Sequence, residues 1–440
     1  MLFRQFVDDD LGCASYLIGD PATGEAAVVD PAYAIERYLA TAEEEGVRVS
    51  HVLETHTHAD HLSGHGRLAL DHAASVATHP LGEPTYAFDP VRDGDEVSVG
   101  ALRIRVLHTP GHRPEHCCFV VDDALLTGDS LLVGGAARPD LAVDARDGAE
   151  ALYDSLRRLF ELPDDTRVFP GHVAGSLCGA GIGSAHSTTI GAERVVNPAV
   201  TASSREDFVA RSAGVKAPRP PNMRLLVELN RGPFVAAPQP LPQLDDSRGT
   251  TILDVRPAAE FARGHAEGAI NVPLDGGAFA TKAGFVLRPD DRVALHADTF
   301  EQADRAAAAL RAVGFLELAG YLPEVAADSS FAPVTLDELE SLLADGSVDV
   351  IDVREAEERD DGYIAGSRHI PYRLLRACCE DLAAMRPIVT VCESGSRAAI
   401  AASLLAAAGL DARPVLGTGI GEWQERGGAT VSFRRCGSSS

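Results

Sequence analysis

Cationic side chains are in short supply in this chain of 440 residues, where 39 Lys and Arg stand against 65 Asp and Glu for a formal net charge of -26. A nucleic-acid backbone or an anionic membrane surface needs clustered Lys and Arg, so the balance argues against both as partners. Long apolar runs are missing too. None reaches the ~18 residues of a membrane span, and residues Met1 to Asp10 hold no apolar core of the kind a signal peptide carries. The eight cysteines fall at irregular positions, with the neighbours Cys117-Cys118 and Cys378-Cys379, which is not the framework of a secreted disulfide scaffold. These absences predict a soluble protein with reduced thiols in a cytoplasm. The length predicts roughly two to four domains, each able to bury a core.

Against that background one stretch stands out. Glu54-Thr55-His56-Thr57-His58-Ala59-Asp60-His61 sets three histidines and an aspartate within six positions. Val47 to Leu53 before it alternates like a half-buried strand, and Leu62 to Ala73 after it has helical spacing. A loop between two rigid elements can aim several imidazoles at one point. A single histidine there would read as an ordinary turn or core residue; the HxHxDH string does not.

Further polar residues follow apolar runs. Leu102 to Leu107 leads into His108-Thr109-Pro110-Gly111-His112, Ala124 to Gly128 into Asp129, and Arg167 to Phe169 into Pro170-Gly171-His172. Each lies at the carboxyl end of a strand, where open α/β sheets place their sites. Ser15 to Gly19 and Ala26 to Asp30 read as a hairpin, Ile35 to Glu45 and Glu206 to Ser212 as helices. Pro-rich connections at Ala217 to Pro221 and Pro233 to Pro242 put a domain boundary near residue 235.

HxHxDH, TPGH, GD and PGH in this order resemble the metallo-β-lactamase superfamily. That resemblance implies an αββα sandwich over residues 1–235, within an α/β protein. It permits a dinuclear zinc hydrolase of the glyoxalase II type, with His56, His58 and His112 on one metal, Asp60, His61 and His172 on the other, and Asp129 between. A narrower resemblance, carried by Thr55 to His61, Gly128-Asp129-Ser130-Leu131-Leu132 and Arg138-Pro139-Asp140-Leu141, is to persulfide dioxygenases. It implies one Fe(II) on His56, His112 and Asp129, with His58, Asp60, His61 and His172 around it. A triad of that kind leaves three coordination positions open. The implied substrates are a low-molecular-weight thiol persulfide and dioxygen, and the product is sulfite. Gly134-Gly135-Ala136-Ala137 is less polar than the family pattern, and Arg138 is a candidate for holding a substrate carboxylate, with a plain ion pair to Asp140 as the other reading. Cys178, in the small-residue run that follows His172, reads as a small buried residue or a thiol near the pocket.

The second half repeats itself. Thr251-Ile252-Leu253-Asp254-Val255-Arg256 recurs as Val350-Ile351-Asp352-Val353-Arg354, and Gly268-Ala269-Ile270-Asn271-Val272-Pro273 as Gly366-Ser367-Arg368-His369-Ile370-Pro371. The spacing is that of a duplicated unit of about 100 residues. In the later copy Cys392-Glu393-Ser394-Gly395-Ser396-Arg397 joins a buried strand to an Ala-rich helix. A thiol at a helix N-terminus, in a turn of inward amides beside Arg397, is an activated nucleophile. The earlier copy puts Ala297 opposite Cys392. Both copies resemble rhodanese domains, which implies a degenerate domain at 245–330 and an active one at 333–436. Cys392 and Arg397 would then be catalytic, with Glu393, Ser394, Gly395 and Ser396 cradling the sulfur. Sulfite accepting sulfur from a Cys392 persulfide would give thiosulfate, or the reverse reaction would use it. Under the hydrolase reading the copies would be sensing or docking modules. The physiological thiol and the oligomeric state, homo-oligomers included, are not readable from the residues.

Overall fold

The computed structural model describes residues 1–173, 185–214, 218–379, 382 and 386–432. The chain divides into two units, Met1–Pro238 with Arg311–Gly314, and Gln239–Leu310 with Phe315–Ser440. The Cys178 and Cys436 positions lie outside the described residues.

Alternation along the strands builds the first unit. Ile18, Val29 and Leu53 face Ile104, Phe119 and Leu126 of a second sheet, while their neighbours Leu17, Val28 and Val52 face the other way, onto Tyr38 and Leu68 of helices Glu36–Glu44 and His65–His72. Leu125 and Val168 do the same toward Leu152 and Leu156 of helix Ala145–Leu159. With both faces buried, the strands read as near-continuous apolar runs. The result is four layers, helices outside two six-stranded sheets.

One sheet runs Leu2–Asp8, Cys13–Asp20, Glu25–Val29, Arg48–Leu53, Ser75–Thr78, Asp89–Pro90, antiparallel over its first three strands and parallel thereafter. The other runs Thr188–Thr189, Arg167–Pro170, Ala124–Gly128, Cys117–Val121, Leu102–His108, Glu96–Val99. Arg48–Leu53, Leu102–His108, Ala124–Gly128 and Arg167–Pro170 end at the polar residues singled out in the sequence.

The first strand, Leu2–Asp8, and a helix at Met223–Arg231 are elements that the composition does not announce. The helix falls between the two Pro-rich stretches, and its last turn reaches the site.

In the second unit, two parallel four-stranded sheets repeat one order. Ile270–Asn271, Thr251–Asp254, Val293–His296, Gly320–Leu322 is matched by Arg368–His369, Asp349–Asp352, Ile388–Val391, Ala412–Pro414. The copies are bonded to each other. The Asn271 amide donates to Ser403 Oγ at 3.0 Å, and the Arg376 guanidinium grips Asp291 at 2.6 and 2.9 Å. Among the described residues no helix is long and apolar enough to cross a membrane, and no disulfide joins the cysteines.

Candidate metal centre and sulfur-transfer loop

Asp30 is the anchor from which the first site is built. Its carboxylate accepts from the Thr55 amide at 2.7 Å and from Thr55 Oγ1 at 2.8 Å, and Thr55 Oγ1 lies 2.9 Å from His56 Nδ1. With its hydroxyl proton directed to Asp30, Thr55 accepts from Nδ1–H, which fixes the tautomer and leaves the His56 Nε2 lone pair facing inward. His112 is oriented in the same manner, its Nδ1 donating to the Arg138 carbonyl at 2.9 Å. Asp129 follows a turn at Gly128, where φ is +46° and an added Cβ would come within 2.5 Å of Thr55 Oγ1 and 2.7 Å of His116 Nε2. Only glycine fits there. His116 Nε2 accepts from the Asp129 amide at 3.0 Å.

These supports bring His56, His112 and Asp129 together. Asp129 Oδ2 lies 3.5 Å from His112 Nε2 and 3.9 Å from His56 Nε2, with all three side chains buried. Asp129 Oδ2 is a buried acceptor with no hydrogen-bond partner. A buried carboxylate oxygen without a partner is costly, so its presence between two lone pairs fits a metal cation bound there. Burial pushes His56 and His112 below the ordinary imidazole range, which keeps them in the neutral, metal-binding form. Burial raises Asp129, but the neighbouring His172 outweighs it and holds the carboxyl well below the usual range.

A second group lies beside the first. His172 Nδ1 is 2.6 Å from Asp129 Oδ1 and its Nε2 2.7 Å from Asp60 Oδ2, so one ring joins two carboxylates. His61 Nδ1 is 3.2 Å from Asp60 Oδ1. Cys13, at the start of strand Cys13–Asp20, completes the group, its Sγ at 3.3 Å from His172, 3.4 Å from His61 and 3.6 Å from Asp60. Cys13, Asp60, His61 and His172 are a donor set a metal ion could use. Nothing in the sequence around Cys13 points to it.

His58 goes elsewhere. Its Nε2 sits 3.3 Å from Asp30 and 3.2 Å from Glu54, a grouping apart from His56, His112 and Asp129. Burial opposes its charge, yet the two carboxylates raise its pKa to about 10. Behind the loop stands Asn230, missed in the sequence for want of any motif. Its carboxamide donates to the carbonyls of His58 (3.0 Å) and His61 (2.8 Å) and accepts from the Ser63 amide at 2.9 Å. The Arg138 guanidinium lies against Asp140 at 2.7 and 2.8 Å.

In the second unit Cys392 follows strand Ile388–Val391 and precedes helix Ser396–Ala407. Its Sγ accepts from the Gly395 amide at 3.1 Å. Gly395 has φ +88°, and a Cβ on it would meet the Gly417 amide at 2.7 Å. Arg397 is paired with Glu358 through two bonds of 2.6 Å, and Glu393 faces Arg354 at 3.5 Å. Ser394, Gly395 and Ser396 border a cavity of about 320 Å³. In the earlier copy Ala297 is fully buried and His296 Nδ1 bonds to the Leu322 carbonyl at 2.9 Å, so no nucleophile is presented.

The metallo-beta-lactamase superfamily model matches residues 8–172, and the rhodanese-like domain model matches 237–325 and 335–426. The mitochondrial persulfide dioxygenase ETHE1 of Bos taurus is 31% identical over 236 residues, 52% of this chain and 87% of that protein. A hydroxyacylglutathione hydrolase of a Polaromonas strain is 38% identical over 165 residues, 36% of this chain and 61% of that protein. The crystal structure of a metallo-beta-lactamase from Staphylococcus aureus is 30% identical with a TM-score of 0.68, covering 73% of this chain and 99% of that one.

Proposed function

Since the chain belongs to the persulfide dioxygenase family of the metallo-beta-lactamase superfamily, and carries two rhodanese-like domains after it, we propose that it oxidises a thiol persulfide and transfers sulfane sulfur. The first unit would convert the terminal sulfur of a low-molecular-weight thiol persulfide to sulfite with dioxygen, in a reducing, cytoplasmic setting. Its cofactor would be a single Fe(II) on His56, His112 and Asp129. An iron ion in that arrangement supplies oxygenase redox chemistry, which zinc does not.

The chain's own residues prepare the centre. Thr55 and the Arg138 carbonyl each hold one imidazole with its outer nitrogen turned inward. His172 lies between Asp129 and Asp60 with one ring nitrogen on each carboxylate, steadying the carboxylate that would face the metal. We assign Arg138 to this positioning through its carbonyl. In the second unit, the Cys392 thiolate would carry sulfane sulfur in a loop whose Gly395 amide donates to Sγ. Sulfite made by the first unit would be one acceptor, giving thiosulfate; a thiol and its persulfide form the other couple.

The observation that carries the oxidation reading is the partnerless, buried Asp129 Oδ2 facing two oriented imidazoles. One observation favours the rival, a dinuclear zinc thioester hydrolase: the Cys13, Asp60, His61 and His172 group offers donors for a second ion. Metal analysis of the purified protein, followed by oxygen uptake with glutathione persulfide, separates the two. One iron per chain with uptake is the expected result; paired zinc without uptake would overturn it.

A further inference from the structure

The Cys13, Asp60, His61 and His172 group has the donor types of an ion site, yet its polar atoms already bind one another. His172 Nε2 lies 2.7 Å from Asp60 Oδ2, the separation of a hydrogen bond. Two donors bound to one ion at ~2.0–2.2 Å in a tetrahedral arrangement stand about 3.3–3.5 Å apart. Asp60 Oδ1 meets His61 Nδ1 at 3.2 Å, and the Cys13 thiol donates to Asp60 Oδ2 at 3.6 Å. Among the described residues, no side-chain nitrogen or oxygen of Asp60, His61 or His172 is buried without a partner, whereas Asp129 Oδ2 is. The two groups therefore differ. The first leaves an acceptor open to a cation, and the second is closed by its own hydrogen bonds.

Cys13 is also fixed where it stands. Its backbone pairs with that of His172 in an isolated antiparallel bridge, with the Ala14 amide donating to the Gly171 carbonyl at 2.7 Å and the Val173 amide to the Gly12 carbonyl at 2.9 Å. The bridge ties the start of strand Cys13–Asp20 to the chain just after strand Arg167–Pro170. It sets Sγ 3.3 Å from His172 Nε2 and 3.4 Å from His61 Nδ1. An ion bonded to His61, His172 and Asp60 from the side of Cys13 would come within bonding reach of the sulfur. It could seat there only if the thiol became a ligand or withdrew, and the paired backbone opposes withdrawal.

We propose that Cys13 sets the number of metal ions: its thiol fills the second seat and restricts the first unit to the ion on His56, His112 and Asp129. This rests on the reading of those three residues as the seat of a single metal ion, and adds the residue that keeps it single. One ion held by three protein donors leaves three positions open, enough for a sulfur ligand and dioxygen together. A pair of ions is the arrangement of hydrolytic centres. The thiol thus decides between two chemistries that the same histidines and aspartates could serve.

The test strips the full chain of metal with a chelator and titrates it with Co(II), counting the ions retained after gel filtration and recording the thiolate-to-cobalt charge-transfer absorption. The unaltered protein should retain one ion. Cys13→Ala, a smaller apolar side chain at a buried strand position, should retain two, with affinity for the second ion raised by about tenfold or more. Cys13→Ser, which keeps a hydrogen-bonding group in the thiol's place, should stay at one. One ion in both the unaltered protein and Cys13→Ala overturns the role of Cys13 and leaves the single-ion reading standing. Two ions in the unaltered protein, with an absorption that Cys13→Ala loses, make Cys13 a ligand and overturn both.

Discussion

Replacing Asn230 by Ala should loosen the metal loop from behind while leaving every proposed ligand in place. The carboxamide, on a residue only 4% exposed, satisfies the His58 and His61 carbonyls and the Ser63 amide. Its removal leaves three backbone groups without that partner, each costing about 1–3 kcal/mol while buried. A carbonyl with a second lone pair tolerates this better than an amide, and a water entering the vacated space would restore part of the set. The net loss is then about 2–5 kcal/mol. For a unit of this size each kcal/mol lowers Tm by about 2–4 °C, so calorimetry of the full chain should show the first unit melting roughly 5–15 °C lower. Because His58 and His61 flank the loop that carries His56, iron retention against a chelator should also fall, by roughly 10–100-fold, as for other residues supporting a ligand from outside. A variant that melts within about 1 °C of the parent and keeps its iron would refute the idea that Asn230 sets the loop.

Asp129→Asn should cut iron content at least about tenfold, since it removes the charge of the ligand between the two imidazoles; metal analysis of the purified variant checks this. Cys392→Ser should abolish thiosulfate:acceptor sulfur transfer and spare oxygen uptake, and surviving transfer would show that another group is the nucleophile. Gly395→Ala forces a side chain onto φ +88° and against the Gly417 amide, at a cost of about 1–3 kcal/mol, so it should depress sulfur transfer without altering iron content. The pH dependence follows from the Asp30, Glu54 and His58 group. Burial raises Glu54, but His58 and His65 beside it bring it to about 2, so its contribution is complete above the ordinary carboxylate range and fades as pH falls toward 2. His58, raised to about 10, contributes fully below the ordinary imidazole range and loses its contribution as pH climbs toward 10. Both act together between roughly pH 4.5 and 6.5, and because His56 and His112, depressed by burial, cost stability below the ordinary imidazole range, the metal-free first unit should melt highest near the top of that window; a Tm still rising from 6.5 to 9 would contradict this.

The candidate metal-site residues were legible as a group because chemistry and chain geometry coincide in them. His56, His112, Asp129 and His172 each follow an apolar strand within a few residues, so a linear pattern carries their convergence. The duplication was legible for the same reason, since Leu253-Asp254-Val255-Arg256 and Ile351-Asp352-Val353-Arg354 repeat both the strand and the Asp–Arg pair that closes it. Cys13 and Asn230 were not. Cys13 sits 47 positions before Asp60 in a strand whose other residues are ordinary core, and Asn230 lies 172 positions after His58. Their roles come only from sheet order and from the packing of a short helix between Pro-rich stretches. His58 lies in the HxHxDH string but is held from outside it. Asp30 and Glu54, two carboxylates that no motif marks, lie 3.3 and 3.2 Å from its Nε2.

The bond from the Asn271 amide to Ser403 Oγ crosses from one copy to the middle of the helix that carries the Cys392 turn at its front end. The backbone behind the proposed nucleophile is thus braced by the neighbouring copy. Damage to that brace would present, in any activity screen, as an injury to the thiol some distance away.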